Sequence, residues 1–314
     1  MLDARGVGRA LQLAGCAPTA AGWRTAVDRL LLGVGAALLV AGVICVVAHN
    51  WSGMQRWGRF AMAQAVLLLV FLLAVRLGPG SRYGKVVLTI AIGLVGPLLA
   101  LFGQTYQTGA DTFELFRGWA LLSLPWVLAS SYAPAWLLWL VIVEAALLLH
   151  VAALELWWRT WLGVAPTWLL ASLFNIVALA LWEYFARRFE WLSGRLGPRL
   201  IATCLMGLLT GLTCALVFSA KAPGLSLAPL AWTLLMAAGY VAYRVRGIDL
   251  AMLALGWLCL TVVLLAAAGR LLFEVDAEAF TFVLGAAVLI GSSAFGRQWL
   301  RNVAALDAAG EGRR

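Results

Sequence analysis

Few residues in this chain could do chemistry, and most of those stand among apolar neighbours. Glu144 is the clearest. It lies nine residues into an apolar run that starts near Ala135, with Leu140, Val141, Leu147 and Leu148 around it at helical spacing. A carboxylate at that depth in a membrane helix costs about 2.5–3.5 kcal/mol on insertion scales, so it needs a partner from another helix or a task of its own. Asn175, at similar depth in the next apolar run, is the candidate partner. Three readings stand open: a neutral Glu144 bonded to Asn175 as structural glue, a proton or cation relay, and an interfacial Glu144 in a span placed differently.

A second group is Phe102–Asp111, reading FGQTYQTGAD. Gln104, Tyr106 and Gln107 supply amide and phenol groups, and Gly109 is available for a turn with positive φ. Asp111 and Glu114 have the N-cap and N3 spacing of a capping box for the helix that follows. Capping accounts for these two acids. The sharper reading makes Gln104, Tyr106, Gln107 and Asp111 a ligand or interaction site. Pro97, after Gly93 and Gly96, removes a backbone donor and predicts a weakened or kinked helix ahead of this segment.

A third group falls at predicted outer helix ends. His49, Gln64, Gln104, His150 and Glu155 could share one polar patch. Two histidines at unrelated span ends suit interfacial residues better than metal ligands. No HExxH, GxSxG or Walker loop occurs, and the five cysteines form no CxxC pair. No catalytic residue, metal or cofactor is therefore expected. Ser130–Ser131 and Ser292–Ser293 lack a base and are expected to be helix-end or packing serines.

The elements that must position these groups follow from composition. The chain has 314 residues, 64% apolar and 12% charged; soluble domains carry about 25% charged residues. Outside the apolar runs little remains that could build a water-driven core. The net charge of +9 does not point to nucleic acid, because the basic residues are scattered between apolar runs. A helix needs roughly 20 apolar residues to cross the hydrocarbon layer. That rule predicts ten spans: Leu30–His49, Phe60–Val75, Val86–Phe102, Thr112–Ser130, Ala135–Val151, Trp161–Phe185, Leu200–Ala220, Leu227–Tyr243, Leu250–Ala268 and Phe280–Phe295. The fold class is thus an all-α polytopic bundle. Residues 1–29 form a basic cytoplasmic helical segment, 30–296 the membrane domain, and 297–314 a basic cytoplasmic tail. The first apolar run exceeds the roughly 7–15 residues of a signal-peptide core, so it is expected to be retained.

Charge supports the count. With the N-terminus inside, 17 of the 23 Lys and Arg fall on the cytoplasmic side, as the positive-inside rule requires, and one miscounted span would spoil this. The expected location is a bacterial inner membrane with both termini cytoplasmic. Trp51, Trp57, Trp157, Trp158 and Trp161 mark outer boundaries, and Trp182 and Trp191 an inner one. Gly207 and Gly211 form a GxxxG, with Ala37 and Ala41 a weaker pair; both are read as close helix packing within the chain. Thr19 or Thr25 is a candidate helix cap near the N-terminus.

FGQTYQTGAD, followed after Thr112 by FELFRGWALLSLPWVL, resembles the signature of a bacterial family of predicted membrane proteins, domain-of-unknown-function family 2157. Its members share a basic N-terminal helical pair, here Ala10–Leu30. A glycine-rich span follows, ending in an aromatic/Asn/Trp-like triplet; here it is His49-Asn50-Trp51, with His in the aromatic place. The likeness covers Ala10 to Val151. It implies a multi-span membrane protein and brings no established activity.

Three functional classes follow. A non-catalytic scaffold, sensor or assembly partner is favoured by the scarcity of buried charge. A transporter or channel would use Glu144 and a broken third span. An intramembrane enzyme acting on lipid-linked substrates would have to draw on His49, His150, Asp111 and Glu155. The expected partners are the lipid bilayer and, for a scaffold, another membrane protein; neither nucleic acid nor a soluble partner is expected.

Overall fold

In lipid no water is present to satisfy backbone N–H and C=O groups, so an apolar chain closes its hydrogen bonds within helices. The computed structural model describes residues 20–49, 53, 55–78, 80–107, 109–154, 165–218, 227–246, 248–273 and 278–311, and among these it contains ten α-helices and no strand. They are α1 (Ala20–His49), α2 (Arg56–Leu77), α3 (Arg82–Tyr106), α4 (Thr112–Ser130), α5 (Ala133–Ala153), α6 (Ala165–Ala186), α7 (Leu196–Phe218), α8 (Leu227–Tyr240), α9 (Leu250–Phe273) and α10 (Glu278–Glu311). Among the described residues each predicted span falls on one α-helix, with Leu227–Tyr243 running past α8 into a π-helical segment. Seven helices, namely α1, α2, α3, α5, α6, α7 and α9, are long and apolar enough to cross a membrane. α8 has only 14 residues and is continued by a π-helical segment, Val241–Arg246.

The chain divides into two compact units, Met1–Ala146 and Leu147–Arg314. In the first, α3 is the central helix. Half of its apolar window is buried, against none of α1. Ile92, Ala120, Val127, Ala135 and Ile142 form one core cluster, and Val86, Ile90 and Leu94 form another beneath α1 and α2. α3 starts where Ser81 caps it, its hydroxyl accepting from the Gly84 N–H at 2.9 Å. In the second unit α7 is central, with 44% of its window buried, and α6, α8 and α9 pack on it.

Where lipid is as apolar as the side chains, close packing and hydrogen bonds hold helices together. Tryptophan supplies both. Trp119 donates from its indole to the Ile92 carbonyl at 2.7 Å, and Trp139 to the Ala120 carbonyl at 2.9 Å. Trp257 reaches the Ser292 carbonyl at 3.0 Å, and Trp232 the Thr210 hydroxyl at 3.0 Å. Indole rings also need glycine-sized room. A Cβ on Gly96 would come within 2.5 Å of the Trp119 ring, and one on Gly197 within 2.3 Å of the Trp182 ring.

That packing corrects several expectations. Gly207 and Gly211 are exposed, and an added Cβ at either meets nothing within 4 Å. Ala37 and Ala41 are exposed as well. The tight contacts fall where an indole ring, not a second small residue, needs the space. Trp182 is buried against Gly197 and is not an interfacial residue. Thr25 lies inside α1 and donates to the Ala21 carbonyl, so it caps nothing; Thr19 lies outside the described residues. The Trp51, Trp157, Trp158 and Trp161 expectations also fall outside them.

Helix direction alternates within each unit. Asp28 pairs with Arg82, and Lys85 donates to the Ser131 carbonyl, which joins residues expected on one side. Arg270 donates to the Val217 carbonyl, joining residues expected on the other.

Candidate functional site

In the first unit the polar groups of the Phe102–Asp111 motif lie at the C-terminal end of α3 and in the turn after it. Gln104 and Tyr106 are on its last helical turns, so the FGQTY half of the motif is helix and not loop. Both are exposed, and the Tyr106 ring rests against Phe60 and Phe102 at centroid distances of 5.7 and 4.8 Å. Gln107 ends the helix in the left-handed region (φ 44°, ψ 50°), and Gly109 follows at φ 64°. A left-handed residue after the last turn is a common helix stop, usually glycine; here a glutamine bears the strain. Both glutamines and the phenol therefore stand at the helix end, held by an aromatic base.

Asp111 occupies the N-cap position of α4 and is exposed, but its side chain makes no capping bond. The Glu114 N–H donates instead to the Asp111 backbone carbonyl at 3.0 Å, and the Glu114 carboxylate lies 3.7 Å from Arg117. The capping box thus holds in position and not in its side-chain bonds. α3 is also continuous through Pro97, so the expected break in the third span is absent. The neighbouring turn is braced from outside, since Trp119 packs on Gly96 and donates to Ile92.

A cavity of about 720 Å³ lies beside this stretch, with Val66, Leu94, Pro97, Leu101, Phe116 and Trp119 among its walls. Gln104 is the one amide in a lining that holds no ionisable residue.

Glu144 is half-buried next to the midpoint of α5, as its depth in the sequence predicts. Asn175, at the middle of α6, is buried, and its amide donates to the Ala171 carbonyl at 3.0 Å. The two belong to different compact units. His49 and Gln64 are exposed in the first unit, and His150 is exposed near the end of α5. Glu155 lies outside the described residues. Among the described residues no three His, Cys, Asp or Glu side chains come together as metal ligands. Ser130 is buried on the Val127 carbonyl, and Ser292 pairs with Thr261 and accepts from Trp257, so both are packing serines.

The second unit holds an ionic cluster that sequence reasoning missed. Asp249, only 3% exposed, precedes α9 and caps it, accepting from the Ala251 and Met252 N–H groups at 3.1 and 3.3 Å. The same carboxylate accepts from Arg195 Nε at 3.0 Å and from Arg199 Nη2 at 3.0 Å. Arg195 also donates to Glu183 at 3.1 Å, and its guanidinium lies 5.6 Å from the centre of the Tyr243 ring. The Tyr243 hydroxyl in turn donates to Glu183 at 3.2 Å. Burial pushes the Asp249 carboxyl up, but hydrogen bonds from Arg199 and the Met252 N–H, with the nearby guanidinium charges, hold it below the usual carboxylate range. The π-helical segment after α8 is what carries Tyr243 to this place. Two signals were present in the sequence: an Asp directly before an apolar run marks an N-cap, and Glu183 lies inside the predicted span Trp161–Phe185.

Neither the curated proteins nor the solved structures contain a match to the chain. The family expectation is met over the first unit's first four helices and the Phe102–Asp111 motif: residues 1–136 match the model of the family described as "Predicted membrane protein (DUF2157)", and this is a membrane protein with several membrane-spanning helices.

Proposed function

We propose that the protein is a non-catalytic scaffold, sensor or assembly partner of a bacterial inner membrane, with both termini cytoplasmic. In this reading it meets another membrane protein through the outer end of α3 and the turn leading into α4. The observation that carries the reading is the exposure of Gln104, Tyr106, Gln107 and Asp111 together at one helix end, on a helix that is otherwise the most buried of its unit. Exposed amides and a phenol on a rigid base suit recognition of a partner, since little ordering is needed on binding. The alternating helix directions and the 17-to-6 charge split support the orientation.

The transport reading rests on Glu144 at mid-helix. It loses support from the unbroken α3 and from the apolar lining of the cavity beside it. An enzyme would need an acid and a base near one another at one face, and His49 and Asp111 gain no such support. The test is site-specific photocrosslinking in intact cells, with the crosslinker at Gln107 and, as control, at the lipid-facing Leu69. A discrete protein adduct at Gln107 that is absent at Leu69 and weakened by Tyr106→Ala is the expected result. Equal labelling at both positions, unaffected by Tyr106→Ala, would overturn the reading.

A further inference from the structure

The second unit contains a cavity of about 410 Å³ between α7, α8 and α9, within the range of ligand pockets. Its walls are apolar along most of their length, with Leu205, Met206, Met236, Gly239 and Leu260 among them. One end is different. Tyr243, Met252 and Leu253 line it there, and Tyr243 is the ring over which the Arg195 guanidinium lies. Met252 is also the residue whose N–H donates to Asp249. The ionic cluster therefore adjoins the cavity through the Tyr243 ring and the Met252 backbone.

The cluster is not saturated. Arg195 uses Nε and Nη1, and Arg199 uses Nε and Nη2. Arg195 Nη2 and Arg199 Nη1 have no partner among the described residues, and the two side chains are 41% and 46% exposed. Arg187 and Arg188, both exposed, follow α6 at the same end as Glu183, and half-buried Arg244 adjoins Tyr243. Positive charge therefore exceeds negative here, although Asp249 and Glu183 neutralise part of it. Aromatic rings also line the cavity. Tyr240 stacks on Trp299 at 6.4 Å, and Trp299 meets Trp257 at 5.9 Å. A guanidinium pair next to an apolar cavity whose lining includes rings that favour the lipid headgroup level suits a molecule with an anionic head and apolar chains. The cavity beside α3, by contrast, has no charged residue in its lining.

We propose that this cavity is a binding site for an anionic phospholipid, whose phosphate is held by Arg195 and Arg199 and one of whose acyl chains fills the slot past Tyr243 toward Leu260. Asp249 and Glu183 act as positioning residues that hold the two guanidinium groups with their remaining N–H groups turned outward.

Binding of phosphatidylglycerol and of phosphatidylcholine with identical chains, measured on the full-length protein by native mass spectrometry, tests this. Phosphatidylglycerol should bind at least about tenfold tighter, because both lipids offer the same phosphate but the choline cation of phosphatidylcholine is repelled by the surrounding arginines. Arg195→Gln should remove most of that preference. Gly239→Leu places bulk in the slot from a position where an added Cβ meets nothing within 4 Å. It should weaken both lipids without lowering the melting temperature of the lipid-free protein, which keeps the test valid if Arg195→Gln folds poorly. Equal affinity for the two lipids would overturn the proposal, as would unchanged binding in Gly239→Leu. Equally tight binding of soluble glycerol phosphate would also overturn it, because the phosphate alone would then account for the site.

Discussion

Asp249 is the residue whose loss should be felt most outside the helix cores. Its carboxylate is nearly inaccessible, yet it holds Arg195 just before α7, Arg199 within α7, and two backbone N–H groups of α9. Asp249→Asn keeps an oxygen to cap α9 and removes the charge. A hydrogen bond to a charged group is worth about 1.5–3 kcal/mol. The guanidinium groups are more than a third exposed, so water replaces much of that interaction and the expected loss is about 1–2 kcal/mol. Asp249→Ala also removes the cap, adding about 1 kcal/mol. The total of about 2–3 kcal/mol corresponds to a Tm lower by about 4–10 °C. Thermal unfolding of the purified protein in detergent, followed by tryptophan fluorescence, measures this, with Arg199→Ala and the double variant completing a mutant cycle. An Asp249→Ala protein that melts within a degree of the unsubstituted one would refute the hub. Equal losses for Asn and Ala would refute the capping part of it.

Three further outcomes follow. Because the Asp249 pKa is lowered on folding, its stabilising contribution is complete above its unfolded value near about 4 and is lost as pH falls through the folded value. The Tm difference between unsubstituted protein and Asp249→Asn should thus be constant from about pH 7 to 5 and shrink below about 4; a difference that shrank near neutrality would contradict the assignment. Gly96→Ala and Gly197→Ala should each cost about 1–3 kcal/mol by driving a methyl into an indole ring, whereas Gly207→Ala and Gly211→Ala should leave the melting curve of the monomer unchanged. Glu144→Gln should preserve expression and folding under the scaffold reading, and a loss of ion or solute flux in proteoliposomes would instead favour the relay.

How much of this was readable beforehand depends on the physics involved. The ten helices were legible because lipid imposes a length and a polarity on every crossing, and Thr112–Ser130 agrees with its helix residue for residue, although seven of the ten are long and apolar enough to cross a membrane. Mid-helix placement of Glu144 and Asn175 followed from the same counting. Where α3 ends did not, since polar Gln104 and Tyr106 read as loop while the backbone continues helical to an αL stop at Gln107. The GxxxG of α7 misled because spacing says nothing about which face meets a neighbour. The Asp249 carboxylate joins residues 50 and 54 positions away, so its N-cap place and the in-span Glu183 were the signals the sequence carried. Arg195 and Arg199 had been sufficiently explained by topology, and that explanation concealed their shared carboxylate.

The topology proposed above puts the α3–α4 turn outside and the α4–α5 and α6–α7 turns inside. Single cysteines at Ala110, Ser131 and Gly194, introduced after replacing Cys16, Cys45, Cys204, Cys214 and Cys259, test it with a membrane-impermeant maleimide on intact cells stripped of their outer membrane. The account predicts labelling at Ala110 alone, with Ser131 and Gly194 reacting only after permeabilisation. Labelling of Gly194 in intact cells with Ala110 protected would contradict it.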